Sequence, residues 1–329
     1  MIKKIGLLTS GGDSPGMNSC IRAIVRTAYK KNILVIGIEY GYKGLIDSKF
    51  IKLNQQSVKN IVHKGGTILK TNRCEEFKHF EFRKKAFNNL IKKNIEGLIV
   101  LGGDGSFTGA SIFSKEFNFP IIGIPSTIDN DIFGTDYSIG FSTATETIIN
   151  SVDKIRDTAS SHDRIFFIEV MGRNSGHLAL NAGNATGAEL ILIPEIKIHD
   201  LDSLTNEIKK INSKKESIII IYAEGCNLGP VNKIAKYVQK KIKNSNVRFS
   251  ILGHIQRGGS PSEKDRVYSA LFGYHAVLEI INNRSGIMIG VQNDKIVNID
   301  LEKVISNKKK INKELINLSK YINNYWLFY

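Results

Sequence analysis

The chain alternates short apolar runs with longer amphipathic stretches, and this alternation limits its fold more than any other feature. Runs rich in Ile, Val and Leu occupy residues 5–8, 33–38, 98–101, 121–124, 165–171, 190–193, 218–223, 249–252 and 287–291. Short β-branched runs of this kind are typical of strands buried on both faces. The stretches between them carry apolar residues at helical spacing, as at Met17, Ile21 and Ala28. The pattern therefore predicts an α/β fold with mainly parallel sheets covered by helices.

The length and composition predict a folded protein of more than one domain. The 329 residues are about twice the size of a typical domain, and an amphipathic stretch near Gly140 is a candidate crossing point into a second one. With 42% hydrophobic and 23% charged residues, the composition excludes disordered and collagen-like chains. Cys20, Cys74 and Cys226 lie far apart, which argues against a disulfide framework or a structural zinc site. No signal-like or membrane-spanning apolar segment is visible, so a cytoplasmic location is expected.

The net charge of +15 raises the question of an acidic partner. Many of the lysines stand in short clusters at 92–93, 209–210, 214–215, 240–241 and 308–310. Such clusters are usually solvated faces. Because no zinc-finger, RNP-type or basic-zipper pattern accompanies the charge, a nucleic-acid partner is not expected.

Two glycine-rich turns follow predicted strands. The first, residues 11–16, opens a predicted helix and could face an anion with its backbone amides, although a purely structural tight turn is equally compatible with it. It is not a P-loop, because Met17 and Asn18 stand where Lys and Ser or Thr would be needed. The second, residues 102–106, would let a polyphosphate approach closely, and Asp104 offers a hard oxygen ligand for Mg²⁺. The alternative is that Asp104 only caps the helix.

Carboxylates and arginines form the remaining candidates. Asp129 and Asp131 follow the run at 121–124 and could supply a general base beside a positioning or metal ligand, unless they only form an Asx turn. Four arginines near predicted strand ends, with a histidine, suggest a phosphorylated substrate, although a surface ion pair is the alternative for each: Arg164, Arg173, Arg248, Arg257 and His254. Carboxyl ends of parallel strands share one edge of a sheet, so these groups can converge. Together they predict phosphoryl transfer.

As a set and in this order, the motifs at 11–13, 102–106, 125–131, 169–173 and 253–261 resemble the bacterial ATP-dependent 6-phosphofructokinases. The resemblance implies two doubly wound, Rossmann-like domains with the active site in the cleft between them. The larger, ATP-binding domain would hold residues 1–138 and 252–301. The smaller, fructose 6-phosphate-binding domain would hold 139–251 and 302–329, ending in a helix with an aromatic end over 311–329.

The resemblance also implies a reaction: transfer of the γ-phosphoryl group of ATP to the 1-hydroxyl of fructose 6-phosphate, the committed step of glycolysis. Asp129 would be the general base, Arg173 would stabilise the transferring group, and Asp104 would carry Mg²⁺; Thr127, Asp131 and Gly11 complete the catalytic set. The positions matching the family's ATP contacts are Gly11, Arg73, Cys74, Gly103, Asp104, Gly105 and Ser106. Those matching its sugar-phosphate contacts are Thr127, Ile128, Asp129, Arg164, Met171, Gly172, Arg173, Glu224, Arg248, His254, Ile255, Gln256 and Arg257.

The same resemblance bears on the donor, the assembly and regulation. Relatives that use pyrophosphate tend to carry Asp in place of Gly105 and Lys in place of Ser126, so ATP is favoured as the donor. Arg164 and Arg248 match residues that reach a neighbouring subunit, which implies a homotetramer. The family's site for ADP and phosphoenolpyruvate matches Arg22, Arg26, Arg156, Glu189 and Lys215. Departures at Gln55, Asn60 and Ser213 predict a weakened or absent allosteric response.

Three alternatives stay open at this point. A pyrophosphate-dependent phosphofructokinase differs from the main hypothesis only in its donor. NAD kinases and lipid kinases have a similar turn at 102–105, but they would not need the clusters at 171–173 and 253–259. A non-catalytic nucleotide or sugar-phosphate sensor on the same fold would not need Asp104, Asp129 and Arg173 together.

Overall fold

The computed structural model describes residues 2–215, 217–243 and 245–323. The strands are β1 (Lys4–Thr9), β2 (Leu34–Ile38), β3 (Phe50–Leu53), β4 (Gly97–Gly102), β5 (Ile121–Pro125), β6 (Arg164–Val170), β7 (Leu190–Leu192), β8 (Ile218–Ala223), β9 (Asn246–Ile251), β10 (Ile287–Gln292) and β11 (Lys295–Asp300). The α-helices are α1 (Met17–Lys30), α2 (Gly41–Ile46), α3 (Phe80–Lys92), α4 (Asp104–Phe117), α5 (Phe141–Ser160), α6 (His177–Thr186), α7 (Leu201–Asn212), α8 (Val231–Lys241), α9 (Glu263–Ile281), α10 (Leu301–Ser306) and α11 (Lys313–Asn323). Short 3₁₀ helices cover Glu75–Lys78 and Gly253–Arg257.

The chain divides into two compact units, each built from two stretches of sequence. Within the described residues, the first unit holds 2–143 with 257–309, and the second holds 144–256 with 310–323. The first change of unit falls inside α5, close to the crossing point that the sequence suggested. Residues 302–309 pack in the first unit, because Leu301 and Val304 of α10 are buried beside Phe107 and Phe113 of α4. The domain boundaries that the resemblance implies therefore differ by a few residues from these units.

The first unit is built on a sheet of seven strands among its described residues, in the order β11-β10-β5-β4-β1-β2-β3. The five inner strands are parallel, whereas β3 and β11 pair antiparallel with β2 and β10 at the two edges. Side chains of β4 alternate between the two faces: Leu98 and Val100 join one apolar cluster, and Ile99 and Leu101 join the other. Helices α1 and α9 cover the second of these faces, and α2, α3, α4 and α10 cover the first.

The second unit is built on a parallel sheet in the order β7-β8-β6-β9. Its buried cluster joins the strands to the apolar faces of α7 and α8, for example Ile208 and Ile234 around Ile220. Both units are thus mixed α/β structures with mainly parallel sheets, as the sequence predicts.

Some elements differ from the sequence prediction. The edge strands β3 and β11 were not predicted, because their sequences mix polar with apolar residues and are only half-buried. The terminal helix is present as α11, but the aromatic end at 324–329 lies outside the described residues. No helix in the described part of the chain is long and apolar enough to span a membrane.

Candidate functional site

The turn after β1 brings the first glycine-rich motif to the carboxyl edge of the first sheet. Gly11 has φ +88° and Gly16, the residue before α1, has φ +108°, a region that favours glycine. A Cβ on Gly16 would also lie 2.7 Å from Cγ2 of Ile139. The turn therefore needs glycine for two reasons: its backbone conformation at the sheet edge, and the close packing of Gly16 against Ile139.

Asn18, which stands where a P-loop would have its serine or threonine, has a different use. Its buried side chain donates to the carbonyls of Lys64 (3.1 Å) and Gly65 (3.0 Å) and accepts from the amide of Ile68 (2.8 Å). Thr71 donates to the Gly11 carbonyl at 3.0 Å. The segment 64–71 is thus fastened to the first turn, directly before the expected nucleotide residues at 73 and 74.

The turn after β4 opens α4 at the same edge. Gly103 precedes the helix in extended conformation, and Asp104 and Gly105 form its exposed first turn. Nothing lies within 4 Å of the position that a Cβ on Gly105 would take. The Ser106 amide donates to the Gly103 carbonyl at 3.0 Å. The amides ahead of it, at the very start of the helix, can face an anion, because the first amides of a helix precede its regular hydrogen bonds.

These turns line a cleft of about 470 Å³ within the first unit. All seven residues expected to bind ATP line it: Gly11, Arg73, Cys74, Gly103, Asp104, Gly105 and Ser106. Thr127, Ile128 and Arg257, expected at the sugar phosphate, line it too. The guanidinium of Arg257 lies against Gly12, whose Cβ would be 2.4 Å from Nη1, and 3.9 Å from a carboxylate oxygen of Asp13. The volume lies within the range of small-molecule sites.

One wall of the cleft is aromatic, which sequence reasoning missed. The rings of Tyr42 and Phe77 stack with centroids 3.9 Å apart, and Ile112 continues this wall. The Tyr42 hydroxyl donates to the Ser106 carbonyl at 2.7 Å, which joins the wall to α4. Arg83 holds the Phe77 carbonyl at 2.9 Å and forms a two-point ion pair with Glu116 at 2.6 Å. Both rings are nearly buried, so they give the cleft a narrow apolar surface, which suits a nucleobase.

The loop after β5 carries the expected base. The amide of Asp129 donates to Oγ1 of Thr127 at 3.3 Å, and Asn130, with φ +50°, donates to the Asp136 carbonyl at 3.1 Å. A threonine turn at Thr127 and the Asn130 side chain therefore hold the loop on the two sides of Asp129.

The structure places a second carboxylate pair at this edge, one that the sequence did not suggest. Burial raises the pKa of Asp131, against the opposing effect of the charge of Lys309. Burial and, secondarily, the charge of Asp131 raise the pKa of Asp104. The repulsion thus acts between carboxylates of two different turns, Asp104 after β4 and Asp131 after β5. The sequence instead predicts repulsion between Asp129 and Asp131, which are two residues apart. Among the described residues no three His, Cys, Asp or Glu side chains come together as a metal cluster.

A lysine near this pair was wrongly expected to be solvated. Lys309 is half-buried, and its ammonium donates to the Asp136 carbonyl at 3.0 Å. Burial lowers its pKa to about 8, against the opposing effect of the charges of Asp136 and Asp131. The sequence pattern could not reveal this burial, because Lys309 follows α10 and is far along the chain from Asp131 and Asp136.

Within the second unit, three adjacent strands gather another group of expected residues at their carboxyl ends. Gly225, directly after Glu224, packs so closely on the loop after β6 that its Cβ would lie 1.9 Å from the Arg173 carbonyl oxygen. The amide of Met171 donates to the buried Gln256 side chain at 3.1 Å. The residues that come after β6, β8 and β9 here are Met171, Gly172, Arg173, Glu224, His254, Ile255 and Gln256.

Arg164 and Arg248 do not join this group within the unit. Arg164 is the first residue of β6, six residues or about 20 Å from its last residue. Arg248 lies beside Phe166 in the middle of the edge strand β9 and is exposed. Arg164 thus lies at a strand end, as expected, but at the amino end, whereas Arg248 lies within its strand.

The expected effector residues fall in both units. In the second unit, the buried Glu189 lies 3.0 Å from the Lys215 ammonium and 3.6 Å from the Arg156 guanidinium. Arg22 and Arg26 belong to α1 in the first unit, where burial and then the charge of Arg26 lower the pKa of Arg22. The departing residues Gln55, Asn60 and Ser213 are exposed.

Comparisons with known proteins agree with one another. A family model described as phosphofructokinase matches residues 4–280. The ATP-dependent 6-phosphofructokinase of a Thermoanaerobacter species is 50% identical over 323 residues, 98% of this chain and 100% of the relative. That of Bacillus velezensis is 48% identical over 324 residues, with the same two shares. The crystal structure of Pichia pastoris phosphofructokinase in the T-state matches with a TM-score of 0.88 and 34% identity; the match covers 98% of this chain but 37% of the yeast chain.

Proposed function

Since the chain belongs to the phosphofructokinase family, we propose that it transfers the γ-phosphoryl group of ATP to the 1-hydroxyl of fructose 6-phosphate, giving fructose 1,6-bisphosphate and ADP. One observation carries the proposal: seven residues from three distant segments, all expected at ATP, line a single cleft beside the Asp129 loop. The enzyme is thus a kinase of glycolysis, as its relatives' names indicate.

In this proposal the first unit binds the nucleotide. The amides at the start of α4 and the turn at Gly11 face the phosphates, where backbone donors and the positive helix end favour negative charge. The stacked rings of Tyr42 and Phe77 offer the base an apolar surface. The open space at Gly105 supports ATP rather than pyrophosphate as the donor, because it leaves room for the α-phosphate.

The carboxylates fit a hydrated Mg²⁺ that arrives with the nucleotide. Asp104 and Asp131 repel each other across the two turns, and a pair of carboxylates plus substrate phosphates is a usual ligand set for this ion. When bound, Mg²⁺ neutralises charge on the phosphates. We assign Asp104 as its main protein ligand.

Asp129 is assigned as the general base that takes the proton of the 1-hydroxyl as its oxygen attacks phosphorus. The hydrogen bond from its backbone amide to the Thr127 hydroxyl oxygen fixes the turn that carries the carboxylate. Arg173 is assigned to the developing charge on the transferring group, because a guanidinium donates two parallel hydrogen bonds to phosphate oxygens.

The remaining sugar-phosphate residues supply binding rather than chemistry. Met171, Gly172, Glu224, Ile255 and Gln256 are assigned to the sugar, and His254 and Arg257 to its 6-phosphate. The hydrogen bond from the Met171 amide to the buried Gln256 side chain supports this assignment, because it joins the loop after β6 to the loop after β9.

The assembly is proposed on separate grounds. Because Arg164 and Arg248 lie away from the loops of their own unit, we assign them to the active site of a second copy in a homotetramer. Binding of ADP or phosphoenolpyruvate beside Arg156, Glu189 and Lys215 is expected to be weak, because Gln55, Asn60 and Ser213 depart from the family's pattern and remove two positive charges. A cytoplasmic location stays a prediction.

The test is a coupled assay for fructose 1,6-bisphosphate with Mg²⁺-ATP or Mg²⁺-pyrophosphate as donor. Turnover is expected with ATP alone. Asp129→Asn should lower kcat by about 10²- to 10⁴-fold, the usual contribution of a general base, and leave ATP binding intact. Asp153→Asn, which removes the same charge from an exposed position on α5, is the control and should not change kcat. Turnover with pyrophosphate alone would refute the assignment of ATP as the donor. An absence of turnover with either donor would favour the hypothesis of a non-catalytic sensor.

A further inference from the structure

Asp265, in the first turn of α9, is a carboxylate with no exposed surface and an unusually full set of donors. Oδ1 accepts from the Gly140 amide at 2.6 Å and from the Tyr137 hydroxyl. Oδ2 accepts from the Thr143 amide at 2.8 Å, from the Thr143 hydroxyl and from the Ser262 hydroxyl at 3.3 Å. Five donors make the burial of one charge tolerable, and hydrogen bonds to a charged acceptor are the strong kind.

This arrangement departs from ordinary helix capping. Ser262 caps α9 by accepting from the Asp265 amide at 3.2 Å, and an acidic residue three positions after the cap usually reaches back to the cap's own amide. Here the Ser262 amide donates to the Thr143 hydroxyl at 2.9 Å instead. The carboxylate of Asp265 is therefore not used to cap its own helix, and it accepts hydrogen bonds from another part of the chain.

That other part is the segment 135–143, which returns along the loop after β5. The Ser138 hydroxyl donates to the Thr127 carbonyl at 2.6 Å and lies 3.3 Å from the Asn130 side-chain oxygen. Ile139 donates to the Pro125 carbonyl at 2.9 Å and pairs with Ser126 as an isolated bridge. The segment 135–143, called the return segment below, therefore contacts the loop of Asp129 both before and after Asp129.

From these contacts we infer that Asp265 is a positioning residue for catalysis: by fixing Tyr137, Gly140 and Thr143, it sets the place of the Asp129 loop relative to the nucleotide cleft. The inference rests on the proposed function, since it assigns Asp129 to the reaction. Tyr137 remains a donor at all physiological pH values, because burial and the neighbouring carboxylate raise its pKa. Small displacements of a reacting group can cost about a hundredfold in rate, so the anchor matters beyond its contribution to folding.

The test compares Asp265→Asn with the wild type. The substitution keeps the size of the side chain but turns one acceptor oxygen into a donor NH₂, which then faces amides or hydroxyls that also donate. We expect kcat to fall at least tenfold and the Michaelis constant for fructose 6-phosphate to rise. The dissociation constant for ADP should stay within twofold, because the walls formed by α4 and by Arg73 do not depend on the return segment.

A matched control separates positioning from stability. Thr205→Ala removes a buried hydrogen bond within α7, to the Leu201 carbonyl at 2.6 Å, and α7 carries none of the residues assigned to ATP or to the sugar phosphate. It should lower the melting temperature and leave kcat unchanged at temperatures where the protein is folded. Tyr137→Phe removes one donor and keeps the carboxylate, and it should lower kcat three- to tenfold; it decides the question if Asp265→Asn does not fold.

The outcomes are distinguishable. A kcat within twofold of wild type in a folded Asp265→Asn or Tyr137→Phe would overturn the inference while leaving the proposed function intact. So would a fall in kcat matched by an equal loss of ADP affinity. An inactive wild type would instead refute the proposed function.

Discussion

Placing a carboxylate at Gly105 tests the assignment of the nucleotide cleft without disturbing the fold. Gly105 lies in the exposed first turn of α4, and a Cβ there would meet nothing within 4 Å. An acidic residue near a helix start gains about 0.3–1 kcal/mol from the helix dipole. Repulsion from the adjacent Asp104 offsets a similar amount, so Gly105→Asp should change the free energy of unfolding by less than about 1 kcal/mol.

The effect on ATP is expected to be much larger. A carboxylate about 5 Å from a phosphate charge is repelled by about 1 kcal/mol when water separates them and by about 3 kcal/mol at an effective dielectric constant of about 20. These energies correspond to a rise in the Michaelis constant for ATP of about 5-fold to about 150-fold. Gly105→Asn, which has nearly the same shape and no charge, isolates the electrostatic part.

Initial rates at varied ATP concentration measure the difference. The two variants should melt at similar temperatures, and their difference in Michaelis constant should shrink as salt rises from about 0.05 M to about 0.5 M, because ions screen exposed charges. Equal Michaelis constants for ATP in the Asp and Asn variants would refute the placement of the triphosphate at the start of α4.

Three other substitutions separate charge and packing effects. Asp131→Asn should raise the melting temperature of the ligand-free protein, because burial raises the pKa of Asp131 and so disfavours its charged form in the folded state. The stabilisation should be largest well above the raised pKa and should decline as the pH falls through it toward the ordinary aspartate value of about 3.9, since the wild-type carboxyl then becomes protonated too. The same substitution should abolish most turnover, because it removes a carboxylate assigned beside Mg²⁺. Lys309→Met should remove a rise in stability between about pH 8 and the ordinary lysine pKa of about 10.4, a window in which the unfolded chain holds a proton that the folded wild type does not. Gly225→Ala should raise the Michaelis constant for fructose 6-phosphate and leave that for ATP unchanged, because its Cβ would collide with the Arg173 carbonyl.

Features that depend on local pattern are largely predictable from the sequence. The parallel strands are visible because burial on both faces demands continuous apolar runs, and the glycine-rich turns are visible because their residues are contiguous. The edge strands β3 and β11 carry no such run, since one of their sides faces solvent. The residues expected at ATP were identified only because motifs kept their order along the chain.

The residues that sequence reasoning missed act through contacts between distant segments. The stack of Tyr42 on Phe77 joins a residue of α2 to one of a 3₁₀ helix, and the charge of Asp131 reaches Asp104 from another strand end. Lys309 looks like a solvated lysine in sequence, and Asp265 looks like an ordinary member of a helix cap. Only the three-dimensional neighbours of these side chains reveal their use.

The discontinuity of the first unit also shapes how the protein is made. Strands β1, β4 and β5 and helix α1 leave the ribosome early, but β10, which pairs with β5, and α9, which packs on α1, are encoded after residue 256. At about 5–20 residues per second, synthesis of residues 144–256 takes roughly 6–20 s. Throughout that interval the nascent chain exposes an unpaired strand edge and the apolar face of α1. The order of translation therefore makes this half of the enzyme a candidate for chaperone protection, whereas nearly all of the second unit is complete before the first can close.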